Sequence, residues 1–272
     1  MSGNDHLPFG LSANTPQYEY QGTRHFLSAL HHELDLFAAD QSKSQYILFT
    51  GVSTDIFRRD FANPTGNSTE FEIYSIPDKI IIVKMESHTH AWAHEAFDWL
   101  LHDKLIAMPG HLDKQIRGFA SAHVEGDDHK KRADKIYQPK RLPRGRSRQW
   151  PSVVLETGYT EGQRKLNSDI EWWITQSKGD VKSAMTIAVN PKYKEIVFCQ
   201  WYSNGSSQQK VYRNVLSQNG RGQVKASNPA PLTIPFEHLL LRPRSKNEED
   251  IVITTADLEE FAKDVWEVQF ET

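Results

Sequence analysis

A carboxylate at the end of a strand that has to be interior constrains this chain more than any other feature of its sequence. In "WPSVVLETGYTEGQRKLNSDIEWWITQS", Trp150 to Ser177, Glu156 follows the apolar run Val153-Val154-Leu155 and stands two residues before Gly158. A short apolar run bounded by Pro151 and Gly158 predicts a buried strand, and the segment from Glu161 to Ser177 predicts an amphipathic helix. An ionised carboxylate buried without a partner costs several kcal/mol or more. Glu156 is therefore paired, protonated, metal-bound or less buried than its neighbours.

The remaining elements follow from periodicity. Phe26, Leu27, Leu30, Leu34 and Phe37 predict a helix from Tyr20 to about Ala38, followed by a loop-rich hairpin region. "TEFEIYSIPDKIIIVKME" predicts a strand pair turning at Pro77-Asp78. Ser87 to Leu105 predicts a helix capped by Ser87, with Glu95 in its middle. "GFASAHVEGDD" and "RADKIYQP" predict two neighbouring strands joined by a polar turn. Beyond the Glu161 helix, "VKSAMTIAV", "KEIVFCQWYS" and "QKVYRNVLS" are strand candidates, and "TTADLEEFAKDVW" predicts an amphipathic helix capped by Thr255. This order argues an α/β or α+β core with a central mixed sheet flanked by helices. Residues 1–68 are expected to form a helical and loop cap, and 69–272 the core with its C-terminal helical extension, together one compact domain.

Composition sets the outer limits. The 272 residues are 38% hydrophobic and 25% charged, ordinary globular material. With 32 Lys plus Arg against 35 Asp plus Glu, the formal charge is -3, so contact with nucleic acid must come from a local patch rather than from net charge. A single cysteine, Cys199, excludes an intramolecular disulfide and fits a reducing, intracellular compartment, nucleus or cytoplasm. The opening "MSGNDHLPFG" lacks a basic and apolar leader, and no run approaches the roughly 18 apolar residues of a spanning helix, so a soluble protein with no membrane partner is expected.

One local patch stands out. Nine Lys or Arg fall between Lys130 and Arg148, read as an exposed, Pro- and Gly-containing loop ahead of the Glu156 strand. Such a run serves as a solvated face, a nuclear-import signal or a phosphate-neutralising patch. Because it lies between Asp134 and Glu156 in the chain, it is expected to start and finish beside both. Glu95, Asp134, Glu156 and a lysine together are the kind of set that phosphodiester hydrolysis uses, since hard oxygen ligands hold Mg²⁺ and the metal activates water.

On "RADKIYQP", on "WPSVVLETGYTEGQRKL" and on "DIEWWITQSKGDVKSAMTIAV" downstream, the sequence resembles the PD-(D/E)XK, or restriction-endonuclease-like, nuclease superfamily, and within it a group of proteins frequent in fungal genomes. The resemblance covers roughly Ile80 to Tyr202. It implies a restriction-endonuclease-like core, Asp134 and Glu156 as ligands of Mg²⁺ or Mn²⁺, Glu95 as a third acid, and cleavage of phosphodiester bonds in nucleic acid, DNA first. Lys130, Lys131, Arg132, Lys140, Arg141, Arg144, Arg146 and Arg148 would contact the nucleic acid. Two positions depart from the pattern: Ala133 replaces the motif proline, and Gly158 stands where the motif lysine belongs, so Lys165 on the following helix becomes the substitute that aligns water.

Each residue has a plainer reading. Glu156 would bond the start of the Glu161 helix, Asp134 would be a solvated strand residue or a cross-strand ion-pair partner, and Glu95 would lie on an exposed helix stripe. Lys165, flanked at helical spacing by Glu161 and Asp169, would form a surface salt bridge. Trp172 and Trp173 read as core and rim packing. His94-Glu95 lacks the second histidine of a His-Glu-x-x-His zinc signature, so the histidines read as polar groups. The alternative function is a catalytically inactive nuclease-fold module that binds nucleic acid or protein; a partner-binding protein would instead show an exposed apolar patch. A homo-oligomer is left open.

Overall fold

The computed structural model describes residues 7–62, 71–119, 123–159 and 162–270. Thr69, Glu161 and the Ala120–Ala122 part of the "GFASAHVEGDD" segment, all used in the sequence reading, lie outside the described residues. The chain divides into two units, and the division is not sequential: residues 1–87 and 123–132 form one, residues 88–122 and 133–272 the other.

The first unit contains β1 (Gln17–Glu19), α1 (Thr23–Ala39), β2 (Tyr46–Thr50), α2 (Thr54–Asp60), β3 (Ile73–Ser75) and β4 (Ile80–Lys84). The second begins with α3 (His88–Ala107) and β5 (Ile116–Phe119), after which the chain contributes β6 (His123–Glu125) and β7 (His129–Arg132) to the first. It then continues the second with β8 (Lys135–Pro139), β9 (Val153–Gly158), α4 (Gln163–Gln176), β10 (Ser183–Val189), β11 (Glu195–Asn204), β12 (Ser207–Gln218) and β13 (Val224–Ala226). β14 (Leu232–Ile234), α5 (Phe236–Leu240), β15 (Ile251–Ile253) and α6 (Thr255–Phe270) complete it.

In the first unit a six-stranded sheet runs β1-β2-β4-β3-β7-β6. β2 and β4 are made of β-branched and aromatic residues that suit a half-buried pleated surface, and Tyr46, Leu48, Ile73, Ile80 and Ile82 form a core with Leu11. The region read as a loop-rich hairpin is β2 followed by α2, whose start is capped by the Ser53 hydroxyl accepting from the Ile56 N–H. Lys130, Lys131 and Arg132 are not in an exposed loop. They lie on β7, where Lys131 is fully buried and bound to the buried Glu72 at 3.1 Å, Arg132 faces Glu86 at 3.6 Å, and Lys130 faces Glu125 at 3.2 Å. A strand can carry Lys131 and Arg132 inward because each meets a carboxylate, while Lys130 stays part-exposed.

The second unit is a mixed sheet of seven strands in the order β13-β12-β11-β10-β9-β8-β5. β9 and β10 are parallel, joined by α4 as crossover; every other neighbouring pair is antiparallel. β5 and β8 pair as expected, but what joins them is the excursion through β6 and β7 rather than a polar turn.

Cross-strand register fixes which face each residue takes. Thr157, Ile187 and Phe198 form one row, and Phe198 packs against Phe97 of α3 and Phe261 of α6. Glu156, Thr186 and Cys199 form the next row, and Cys199 packs with Ile170 and Ile174 of α4. The sheet thus lies between α3 and α6 on one face and α4 on the other. α6 is capped by Thr254, whose hydroxyl accepts the Asp257 N–H while the Asp257 carboxylate accepts the Thr254 N–H. The cap therefore falls one residue before the expected Thr255.

Candidate active site

β8 and β9 form an antiparallel hairpin with Lys135 opposite Leu155 and Tyr137 opposite Val153. One further step sets Asp134 across from Glu156, at the hairpin's open end. There Asp134 Oδ2 accepts the Thr157 N–H at 2.6 Å, continuing with a side chain the pairing that the backbone of β8 no longer supplies. The same oxygen lies 3.3 Å from His90 Nε2 of α3. Asp134 is buried rather than a solvated strand residue.

Glu156 is also buried, on the α4 face. Its Oε1 accepts the indole N–H of Trp173 at 2.6 Å. Trp173 stands in the third turn of α4, so this bond does not involve the helix start. Lys165, Asp169 and Trp173 follow one another at four-residue spacing and therefore share one stripe of α4. Lys165 is completely buried, and its Nζ donates to both oxygens of Asp169 at 2.6 and 2.7 Å. The expected surface salt bridge is a buried one, because the stripe that carries it faces the sheet.

Glu95 is not brought beside Glu156. It lies on the opposite face, where Lys135 Nζ binds Glu95 at 2.8 Å and Asp98 at 3.4 Å. Burial and the nearby Asp98 and Glu95 carboxylates push the phenol of the adjacent Tyr137 well above its ordinary range. Lys135, one of the nine clustered cations, is thus part of an internal charge cluster.

The basic segment does not end beside the carboxylate pair. A hairpin's loop and its open end lie at opposite ends of its strands; the segment from Lys140 to Arg148 joins Pro139 to the β9 side, five residues along β8 from Asp134, or about 15 Å. Arg146 turns inward: it binds Asp180 at 2.5 Å and donates to the carbonyls of Trp150 and Pro151, and its own burial holds its pKa below the ordinary guanidinium range. Lys140, Arg141, Arg144 and Arg148 are exposed. Lys140 and Arg141 line a groove of about 860 Å³ with Lys114 and Arg242 over a floor of Leu and Pro side chains. Arg242 is fixed there by Glu248, at 2.6 Å, and by the Gln115 side chain.

Two partners of the carboxylates were absent from the sequence reading: Trp173, assigned to packing alone, and His90, read as a polar group. Helical phase relative to Lys165 would have located the first. The second required knowing that α3 passes the open end of the β8–β9 hairpin.

These elements define a mixed α/β protein with two buried carboxylates at neighbouring backbone positions of adjacent strands, Asp134 meeting His90 of α3 and Glu156 meeting Trp173 of α4. No family model matches the chain, and no curated protein matches it. Among solved structures it is similar to a protein of the DUF820 group from Anabaena variabilis, described with a provisional nuclease assignment: 15% identity, 76% of this chain and 97% of that chain covered, TM-score 0.43. Among the described residues, no helix is long and apolar enough to cross a membrane.

Proposed function

We propose that this protein is a Mg²⁺- or Mn²⁺-dependent nuclease that cleaves phosphodiester bonds in nucleic acid, DNA first, at the open end of the β8–β9 hairpin. The observation that carries the reading is the register that sets Asp134 across from Glu156. Their donor chemistry fits a hard divalent cation, since both offer carboxylate oxygens. Their hydrogen bonds to Thr157 and Trp173 are of the kind that orient ligating carboxylates in metal sites. A bound ion would supply Lewis-acid stabilisation of the phosphate and a lowered water pKa.

The chain's own groups do the rest. Asp134 is held by the Thr157 N–H and Glu156 by Trp173, so both carboxylates are pre-positioned. Lys165 places an ammonium on the α4 stripe that faces the Glu156 side of the sheet, where it would orient the attacking water, with Asp169 fixing its Nζ. Glu95 stays with Lys135 and has no part in this reading of the reaction. Lys140, Arg141, Arg144 and Arg148 would hold backbone phosphates away from the scissile bond, so a substrate reaching both regions spans about 15 Å, some four or five base-pair steps.

A second reading, an inactive nuclease-fold module, is favoured by one observation: Lys165 is clasped by both oxygens of Asp169. Cleavage of plasmid and of single-stranded DNA in Mn²⁺ separates the two. The nuclease reading expects cleavage by the wild type and a loss of at least about 100-fold in Glu156→Gln and Lys165→Met. Binding without cleavage by the wild type would leave the module.

A further inference from the structure

We propose that the second unit carries a binding pocket for a small organic ammonium cation, walled by α3 and floored by β5 and β8. The cavity holds about 320 Å³, the lower end of what small-molecule sites occupy. Its origin is a missing side chain. Gly118 lies on β5, the edge strand of the seven-stranded sheet, directly across from Tyr137, and residues directly opposite on an antiparallel pair share a face. A Cβ added there would stand 3.6 Å from both Asp98 Oδ1 and the Tyr137 ring. Gly118 does not use the positive φ that glycine adopts so readily. What it contributes is open space beside a carboxylate and a phenol.

The lining sets the chemistry of the ligand. Asp98 and Asp113 bring two carboxylates to the cavity. The Lys135 ammonium reaches Asp98 Oδ2 at 3.4 Å but sits closer to Glu95, at 2.8 Å, so it offsets the negative charge of the pocket only in part. Tyr137 points to a ligand independently of the carboxylates. It is 2% exposed, its hydroxyl faces the Asp98 carboxylate, and no donor among the described residues reaches its oxygen. A buried acceptor left without a donor costs free energy, which a ligand N–H entering over Gly118 would recover. Trp99, 55% exposed, lines the same cavity with the buried Leu105 and Ile116. An exposed indole offers its π face to a cation, and the aliphatic walls suit a hydrocarbon body. A primary ammonium on a small aromatic or aliphatic frame supplies all three requirements: positive charge, N–H donors and apolar carbon. This inference does not rest on the nuclease reading, since neither Asp134 nor Glu156 lines the pocket.

The probe is benzylammonium, titrated into the full chain by calorimetry and followed by ligand-detected saturation-transfer NMR, with benzyl alcohol as its neutral isostere. One benzylammonium per chain is expected, bound at least about tenfold more tightly than benzyl alcohol, because hydrogen bonds to charged groups are worth that factor or more. Gly118→Val keeps both carboxylates and places a β-branched side chain on a strand, where such residues are favoured. It is expected to weaken binding at least about tenfold by filling the cavity, and Asp98→Asn to do the same by removing the charge. Trp99→Leu, at an exposed position, is expected to weaken the ammonium more than the alcohol, a readout that stands if Gly118→Val does not fold. Binding that does not saturate, equal affinity for the ammonium and the alcohol, or unchanged affinity in a folded Gly118→Val or Asp98→Asn protein would overturn the proposal.

Discussion

Lys165 and Asp169 are both buried and bound to each other through two hydrogen bonds, which makes Asp169 a residue whose loss is felt in stability as well as in any chemistry. Removing one partner of a buried ion pair costs about 3–5 kcal/mol, whereas replacing both by apolar groups of similar volume is often neutral. Asp169→Ala is therefore expected to lower the unfolding free energy by about 3–5 kcal/mol in urea titration, and the double variant Lys165→Met, Asp169→Leu to recover most of it. A single variant within about 1 kcal/mol of wild type would show the pair to be weakly held. At this scale the sequence revealed a buried strand at Val153-Val154-Leu155 and left Glu156 paired, protonated, metal-bound or less buried; its burial came from the structure. The sequence did not reveal that Lys165 is buried: an acid four residues away on a helix looks the same whether the stripe faces water or the sheet.

Elements were legible where periodicity was long and unbroken, as in α1, α3, α4 and α6. They were misread where charge opposed burial: β7 carries Lys131 and Arg132 inward, and pairing with Glu72 and Glu86 helps a strand accept them, while the part-exposed Lys130 meets Glu125. The segment after β8 was correctly seen as basic and mostly exposed. Its distance from the carboxylate pair was missed because chain order alone does not say which end of a hairpin a residue occupies.

The neighbouring α5–β15 connection offers a pH test. The Arg242 guanidinium holds the Glu248 carboxyl at about 2, down from 4.5, with help from the Ser245 N–H. A carboxyl depressed in the folded state stabilises it above the unfolded value, and that contribution is lost as pH falls from about 4.5 towards 2. Arg242 is a third exposed, which keeps the effect to at most about 1 kcal/mol. Thermal unfolding of Glu248→Gln should show lower stability at neutral pH and a shallower acid limb between pH 4.5 and 2. An acid limb identical to wild type would contradict this.

At the scale of the whole molecule, the sequence supported a mixed sheet flanked by helices, and the second unit has one. The discontinuous division was not legible, since β6, β7 and the turn between them span only residues 123–132 and their alternation blends with that of β5 and β8. The central claim is that Asp134 and Glu156, brought together by the β8–β9 register, form a divalent-cation site. Calorimetric titration of the wild type, Asp134→Ala and Glu156→Ala with Mg²⁺ and Mn²⁺ tests it most directly. The account predicts stoichiometric binding in the wild type that is lost in both variants while each stays folded. No binding at millimolar ion, or binding unchanged in either variant, would contradict it and leave Glu156 as a carboxylate that serves only to anchor Trp173.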